Sequence, residues 1–319
     1  MKAVILAAGI GNRLKGLAGD KPKCLIEIDN KPILAYQLEA LMKNNIQNVV
    51  IVVGYKKEMI INFIGSHPVF SREMNITFVE NAEYQMTNTS YSWWLAKEYI
   101  KDEDITIHFN SDLAFFPDLI QKLLENTSKN VVCIDRNISL NDSMEQVILD
   151  ENGKIVFMDK ANVSGAHGKG VGVAKFSREA IQWMIREMNH LVLKGDKNQA
   201  FYGQIRKAVK IFDFYGMDVH PLFFKEINTI EDFYTAQKSC NPLYKTPAIS
   251  KAIILSAGKG DRLKHFTENK PTGLLELHDK PILEYQLEAL KENGINEILI
   301  VVGYKGFMIK DFVNNTEKF

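Results

Sequence analysis

Ala3-Val4-Ile5-Leu6-Ala7-Ala8-Gly9-Ile10-Gly11-Asn12-Arg13-Leu14 opens the chain as an apolar run that enters a glycine-rich loop. The run is far too short for a membrane span or a signal segment and reads as a buried first strand. The same pattern returns as Ala252-Ile253-Ile254-Leu255-Ser256-Ala257-Gly258-Lys259-Gly260-Asp261-Arg262-Leu263. The echo continues without a gap. Tyr36-Gln37-Leu38-Glu39-Ala40-Leu41 reappears as Tyr285-Gln286-Leu287-Glu288-Ala289-Leu290, and Ile51-Val52-Val53-Gly54-Tyr55-Lys56 as Ile300-Val301-Val302-Gly303-Tyr304-Lys305. Self-similarity of this kind sets domain boundaries before any other reading. It implies a first domain over 1–241, a linker at 242–250 containing Pro242 and Pro247, and a partial second copy over 251–319. Copy two reaches Phe319 after roughly a third of the first copy's length. A truncated duplication and a longer native chain both remain open as explanations.

Outward from the opening stretch, apolar β-branched runs alternate with helical periodicity. Strands are expected at 3–7, 49–53, 76–79, 105–109 and 130–135, and helices near 33–44, 57–64, 90–100 and 117–125. Alternating β and α units imply a doubly wound, Rossmann-like α/β domain with a mixed sheet, followed by the partial C-terminal repeat. Residues 143–176 read as a meander forming a small lobe over the sheet's carboxyl edge, and helices follow near 178–192 and 198–209. Ligands of such sheets bind outside the strand C-termini, which puts Gly9 to Lys23, Gly54-Tyr55 and Asp112 at one edge.

In the 319 residues, 39 basic and 39 acidic side chains balance. No global field draws this protein to nucleic acid or an anionic membrane, and small-molecule substrates are expected instead. Cys24, Cys133 and Cys240 are widely spaced, without a C-x-x-C pair, which argues for a reducing, cytoplasmic setting.

Glycines after a buried strand let backbone N–H groups approach a polyphosphate closely. The loop is not a dinucleotide fingerprint, because Leu14 stands where the third glycine belongs, and no Gly-Lys-Ser/Thr makes it a Walker loop. A bare G-x-G is equally an ordinary turn. Arg13 and Lys21-Pro22-Lys23 raise the phosphate reading, since arginine is a bidentate phosphate donor.

Leu6-Ala7-Ala8-Gly9-x-Gly11-x-Arg13-Leu14, Lys21-Pro22-Lys23 and Pro32-Ile33-Leu34 together resemble the N-terminal signature of the sugar-phosphate nucleotidyltransferase superfamily, over residues 1 to about 238. The resemblance implies transfer of a nucleoside monophosphate onto a phosphorylated acceptor, with Leu6, Ala7, Ala8, Gly9 and Gly11 lining the nucleotide. Arg13 would hold the β- and γ-phosphates and Lys23 the α-phosphate and incoming phosphate. Asp112, closing Phe109-Asn110-Ser111-Asp112, stands where the superfamily binds catalytic Mg²⁺. In Glu226-Ile227-Asn228-Thr229, Asn228 replaces the second metal aspartate, which implies weaker metal affinity.

The segment Asn81 to Leu95 is similar to that of the phosphocholine cytidylyltransferase-like branch, which implies CTP as donor, with Asn88, Thr89 and Ser90 as nucleotide contacts. Ser90 as a helix N-cap is the plainer reading. Tyr84, Tyr91, Trp93 and Trp94 would offer ring faces to a quaternary ammonium, worth about 0.5–2 kcal/mol, although such aromatics are more often core. Lys160 would face the acceptor phosphate. Asp142 and Glu145 fall in an acidic turn for which a solvated loop is expected. The alternatives are a sugar-1-phosphate nucleotidyltransferase using UTP or dTTP, and a non-catalytic regulatory protein. Copy two has Thr272 where Lys23 stands and is expected to be silent, packing against copy one, forming a homo-oligomer, or beginning a larger domain.

Overall fold

The structure, a computed structural model, describes residues 1–11, 14, 19–161, 163–240, 251–292, 295 and 297–316. The chain divides into two compact units, Met1–Asn241 and Pro242–Phe319. In the first unit the strands are β1 (Lys2–Ala7), β2 (Glu27–Ile28), β3 (Lys31–Pro32), β4 (Asn48–Val53), β5 (Asn75–Glu80), β6 (Ile105–Asn110), β7 (Leu113–Phe115), β8 (Val131–Asp135), β9 (Gln146–Leu149), β10 (Ile155–Asp159), β11 (Gly168–Ser177), β12 (Tyr215–Asp218) and β13 (Phe224–Glu226). Nine of them form one mixed sheet ordered β10-β9-β11-β6-β1-β4-β5, with β8 pairing both β11 and β12.

Strands β1 and β4 are apolar at nearly every position because both faces are covered. Ala3, Ile5, Val49 and Ile51 face a cluster with Leu34, Leu38 and Leu41 of the helix Ile33–Lys43. Val4, Leu6, Val50 and Val52 face a second cluster with Trp93, Met184 and Met188. Each fully buried aliphatic side chain contributes about 1.5–3 kcal/mol relative to exposure. The doubly wound layering therefore follows from the sequence pattern.

Two expectations change. The helix at 90–100 is a pair, Thr89–Leu95 and Lys97–Ile100, meeting at Ala96. The 143–176 meander is not a separate lobe. Strand β11 is long enough to pair β9 through Gly168 and Lys169 and β6 through Val173–Ser177, which welds the meander into the main sheet.

Register aligns the carboxyl edge. Leu6 lies opposite Val52 on one side and Asn110 on the other, so the chain leaves β1, β4 and β6 at one level. Gly54 belongs there for a steric reason, since a Cβ would meet Ala8 O at 2.8 Å and the Tyr84 Cβ at 2.9 Å. Off the main sheet, β13 pairs antiparallel with β7, with Glu226 opposite Leu113. The Ile227 N–H also donates to Asp112 O at 2.9 Å.

The second unit has parallel β14 (Lys251–Ser256) and β17 (Glu297–Val302), the small hairpin β15 (Glu276–Leu277) and β16 (Lys280–Pro281), and the helices Ile282–Glu292 and Gly306–Asn315. Leu274, Leu283, Leu287 and Ile309 make its core. Ile253, Leu255, Leu299 and Val301 remain exposed, Leu255 at 80%. By the repeat they correspond to Val4, Leu6, Val50 and Val52, the face that helices cover in the first unit.

Candidate active site

The glycine-rich loop approaches the lysine that follows it. Gly11 has φ of +70°, and a Cβ there would stand 2.9 Å from the Lys23 Cβ, so glycine is required on both counts. In the repeat, Gly260 has φ of +71° and a Cβ would meet Thr272 Oγ1 at 2.3 Å. The close approach is thus repeated while the lysine is not. Arg13 lies outside the described residues.

Lys23 reaches from the loop to the end of β6. Its Nζ donates to Asp112 Oδ2 at 2.8 Å and to Asn228 Oδ1 at 3.0 Å. Asn228 arrives because the β7–β13 pairing places residue 226 beside residue 113. Its amide is oriented by Glu226, whose Oε1 accepts from Asn228 Nδ2 at 2.6 Å, leaving the oxygen turned to Lys23. Glu226 Oε2 pairs with Lys169 Nζ. Asp232 Oδ2 accepts from the N–H groups of Asn228 and Thr229 at 2.9 and 2.8 Å, fixing the start of the helix Ile230–Cys240.

The residues present fit a hard cation. Asp112 Oδ1 is buried without a hydrogen-bond partner, and an ammonium already sits between Asp112 and Asn228. Two oxygen donors with room for waters suit Mg²⁺. Among the described residues no group of three or more His, Cys, Asp or Glu could hold a metal, so the donor set is not that of a zinc cage.

A cleft of about 630 Å³ opens beside this cluster, lined among others by Thr89, Asp112, Lys160, Lys169, Tyr202 and Asn228. Lys160 and Thr89 therefore join Asp112 and Asn228 around one space. Thr89 Oγ1 also accepts from the Phe201 N–H at 2.8 Å. Asn88 is the N-cap, accepting from the Thr89 N–H at 2.8 Å, so Ser90 is not the cap. Ser90 is buried and donates to Ala200 O at 2.9 Å, which ties two helices together.

The aromatic side chains have partners within the chain. Tyr91 and Trp94 are not among the cleft-lining residues. Their rings stack 5.5 Å apart, the Trp94 indole N–H donates to Asn189 at 2.7 Å, and Lys97 and Lys197 lie over the Trp94 and Tyr91 rings. The protein's own lysines thus take the cation–π positions. Burial raises the Tyr91 phenol above its ordinary value, and its OH donates to Glu83 Oε1. Trp93 is core. Tyr84 packs edge-on against Tyr55, on the Ala8–Gly54 side.

Glu145 is not on a solvated loop, though Asp142 is exposed. Burial raises the Glu145 carboxyl above the usual range, opposed by Arg206, whose Nε lies 3.8 Å away. Residues that sequence reasoning did not single out include Gln37, Lys169 and Tyr202. Tyr202 is partly buried, desolvation raises its phenol well above the ordinary value, and its oxygen accepts from the Gly172 N–H at 2.5 Å. The Gly170-x-Gly172 pair was the available signal. Buried Cys24 and Cys133, pushed up to about 12 by burial, are not poised as nucleophiles.

With the fold and the cluster in view, residues 2–144 and 251–319 match the Nucleotidyl transferase family, and the chain belongs to that family. It is 31% identical over 142 residues to CTP:phosphoglutamine cytidylyltransferase from Campylobacter jejuni, covering 43% of this chain and 53% of the relative. It is 34% identical over 128 residues to UTP–glucose-1-phosphate uridylyltransferase from Haloferax volcanii, covering 40% and 50%. The chain thus spans about half the length of these curated relatives. The fold is similar to that of CTP:phosphocholine cytidylyltransferase from Streptococcus pneumoniae, with a TM-score of 0.59 at 20% identity, over 74% of this chain and 97% of that one. No helix among the described residues is long and apolar enough to cross a membrane.

Proposed function

We propose that the first unit transfers CMP from CTP to a small phosphorylated acceptor and releases pyrophosphate. The observation that carries the reading is Lys23 Nζ held between Asp112 and Asn228, directly beside Gly11. A phosphate-binding loop, a cationic side chain and a hard oxygen pair converge there, as phosphoryl chemistry requires.

Gly9 and Gly11 let the backbone close on the nucleotide phosphates, assisted by Arg13 and Lys23. The acceptor's phosphate oxygen attacks the α-phosphorus in line, and the bond to the pyrophosphate oxygen breaks as the new P–O bond forms. The acceptor is already an anion, so no protein nucleophile or general base is needed. Lys160, which lines the cleft, faces the acceptor phosphate, and Lys23 offsets charge developing on the α-phosphate. Asp112 and Asn228 would hold Mg²⁺, which would offset negative charge on the phosphates.

CTP is preferred because the Asn81–Leu95 segment resembles the cytidylyltransferase branch and one relative is named for CTP. Pyrophosphate release is the test, with all four NTPs crossed against phosphocholine, phosphoethanolamine, aminoethylphosphonate and sugar-1-phosphates. CTP with a non-sugar acceptor is the expected pair. Equal or better turnover with UTP or dTTP and a sugar-1-phosphate would instead favour the uridylyl type of relative.

A further inference from the structure

The helix Ile33–Lys43 is buried along most of its length, and Gln37 lies in its apolar stripe, three residues after Leu34 and four before Leu41. Its relative exposure is 0%. A polar side chain in such a stripe requires partners. The Nε2 group donates one hydrogen to Asn110 O at 2.8 Å and the other to Leu113 O at 2.8 Å, carbonyls on either side of Asp112. The Oε1 oxygen has no partner. Only the donor end of the amide is in use, and the desolvation of the acceptor end is left uncompensated, so simple core filling does not explain a glutamine here.

The repeat supplies a comparison within the same chain. Gln286 stands at the equivalent place in the helix Ile282–Glu292, and the second copy has no counterpart of the Asp112 loop among its described residues. Gln286 is exposed.

We infer that Gln37 is the positioning residue of the metal site. It clamps both ends of the Asn110–Leu113 turn so that the Asp112 carboxylate is held at a fixed place against Asn228 before any metal arrives. The inference rests on the reading of Asp112 as a metal ligand.

The test is Mn²⁺ binding to the full chain, measured by calorimetry without nucleotide, alongside thermal unfolding. Mn²⁺ shares the oxygen preference of Mg²⁺. Wild type, Asp112→Asn, Gln37→Leu, Gln37→Asn and the core variant Met184→Ala are compared. Asp112→Asn should abolish the site. Both Gln37 variants should weaken Mn²⁺ by roughly fivefold or more, the scale of a lost hydrogen bond, while Met184→Ala melts earlier and binds like wild type. Gln37→Asn keeps an amide too short to span both carbonyls and decides the matter if Gln37→Leu does not fold. Wild-type Mn²⁺ affinity in the Gln37 variants, with Asp112→Asn impaired, overturns the positioning role. Wild-type affinity in Asp112→Asn overturns the metal reading and this inference with it.

Discussion

Lys23→Ala should do two opposite things at once. The ammonium lies 2.8 Å from Asp112 and 3.0 Å from Asn228, with side-chain exposures of 14% for Lys23 and 21% for Asp112. At an effective dielectric near 20, unit charges 2.8 Å apart attract by roughly 6 kcal/mol before desolvation is counted. Partial burial offsets most of this, leaving about 1–2 kcal/mol that an incoming divalent ion must overcome to displace the lysine. Removal of the side chain should therefore tighten Mn²⁺ binding to the free protein by about 5- to 30-fold. Turnover should fall by about 10²- to 10³-fold, because the charge that Lys23 directs to the α-phosphate is lost. Calorimetry without nucleotide reads the first effect and CTP-dependent pyrophosphate release the second. Unchanged or weaker Mn²⁺ binding would refute competition between the lysine and the metal, and near-normal turnover would refute the catalytic assignment.

Asn228→Asp adds a charge where an amide oxygen already faces Lys23, so the Mg²⁺ concentration for half-maximal rate should fall; an unchanged requirement removes residue 228 from the metal site. His108 is buried with its pKa lowered by desolvation to about 3 from 6.5. The unfolded chain thus takes up a proton that the folded protein refuses. Stability is full above pH 6.5 and declines as pH falls toward 3, on the order of 2 kcal/mol by pH 5; melting curves of His108→Phe should lose this slope, and parallel curves would exonerate the imidazole. Gly172 has φ of +78°, and a Cβ would meet Asn110 Nδ2 at 2.6 Å. Gly172→Ala should cost about 1–3 kcal/mol in denaturant unfolding, and a neutral effect would contradict the close approach. Deletion of residues 245–319 should preserve turnover per site, because Lys23, Asp112, Lys160 and Asn228 all lie in the first unit; lost turnover in a folded truncation would implicate the second.

The alternating apolar runs and the Ala3–Leu14 echo are local signals, which is why the doubly wound layering could be read from them. Lys23 was singled out by the Lys21-Pro22-Lys23 stretch that follows the glycine-rich loop, and Asp112 by its place at a strand end, both with the help of the family resemblance. Gln37 was not, because helical periodicity treats it as one polar member of a core stripe and its partners lie 73 and 76 positions away. The surroundings of the aromatics were hidden for a related reason. Residue type predicts that a ring can receive a cation, but the occupants are Lys97 and Lys197, and the Lys197–Tyr91 contact spans over a hundred positions. The welding of the meander into the main sheet depends on the length of β11, whose ten residues look like separate short strands around Gly170 and Gly172.

The antiparallel pairing of β13 with β7 also sets a timetable. Lys23 and Asp112 are 89 positions apart, whereas Lys23 and Asn228 are 205 apart. During synthesis the glycine-rich loop and Asp112 emerge long before Asn228, which completes the hydrogen-bonded cluster. Closing the longer span costs only about 0.7 kcal/mol more in chain entropy, so the delay is one of order rather than of stability. A chain interrupted before β13 would carry most of the sheet and the glycine-rich loop without Asn228 beside Lys23.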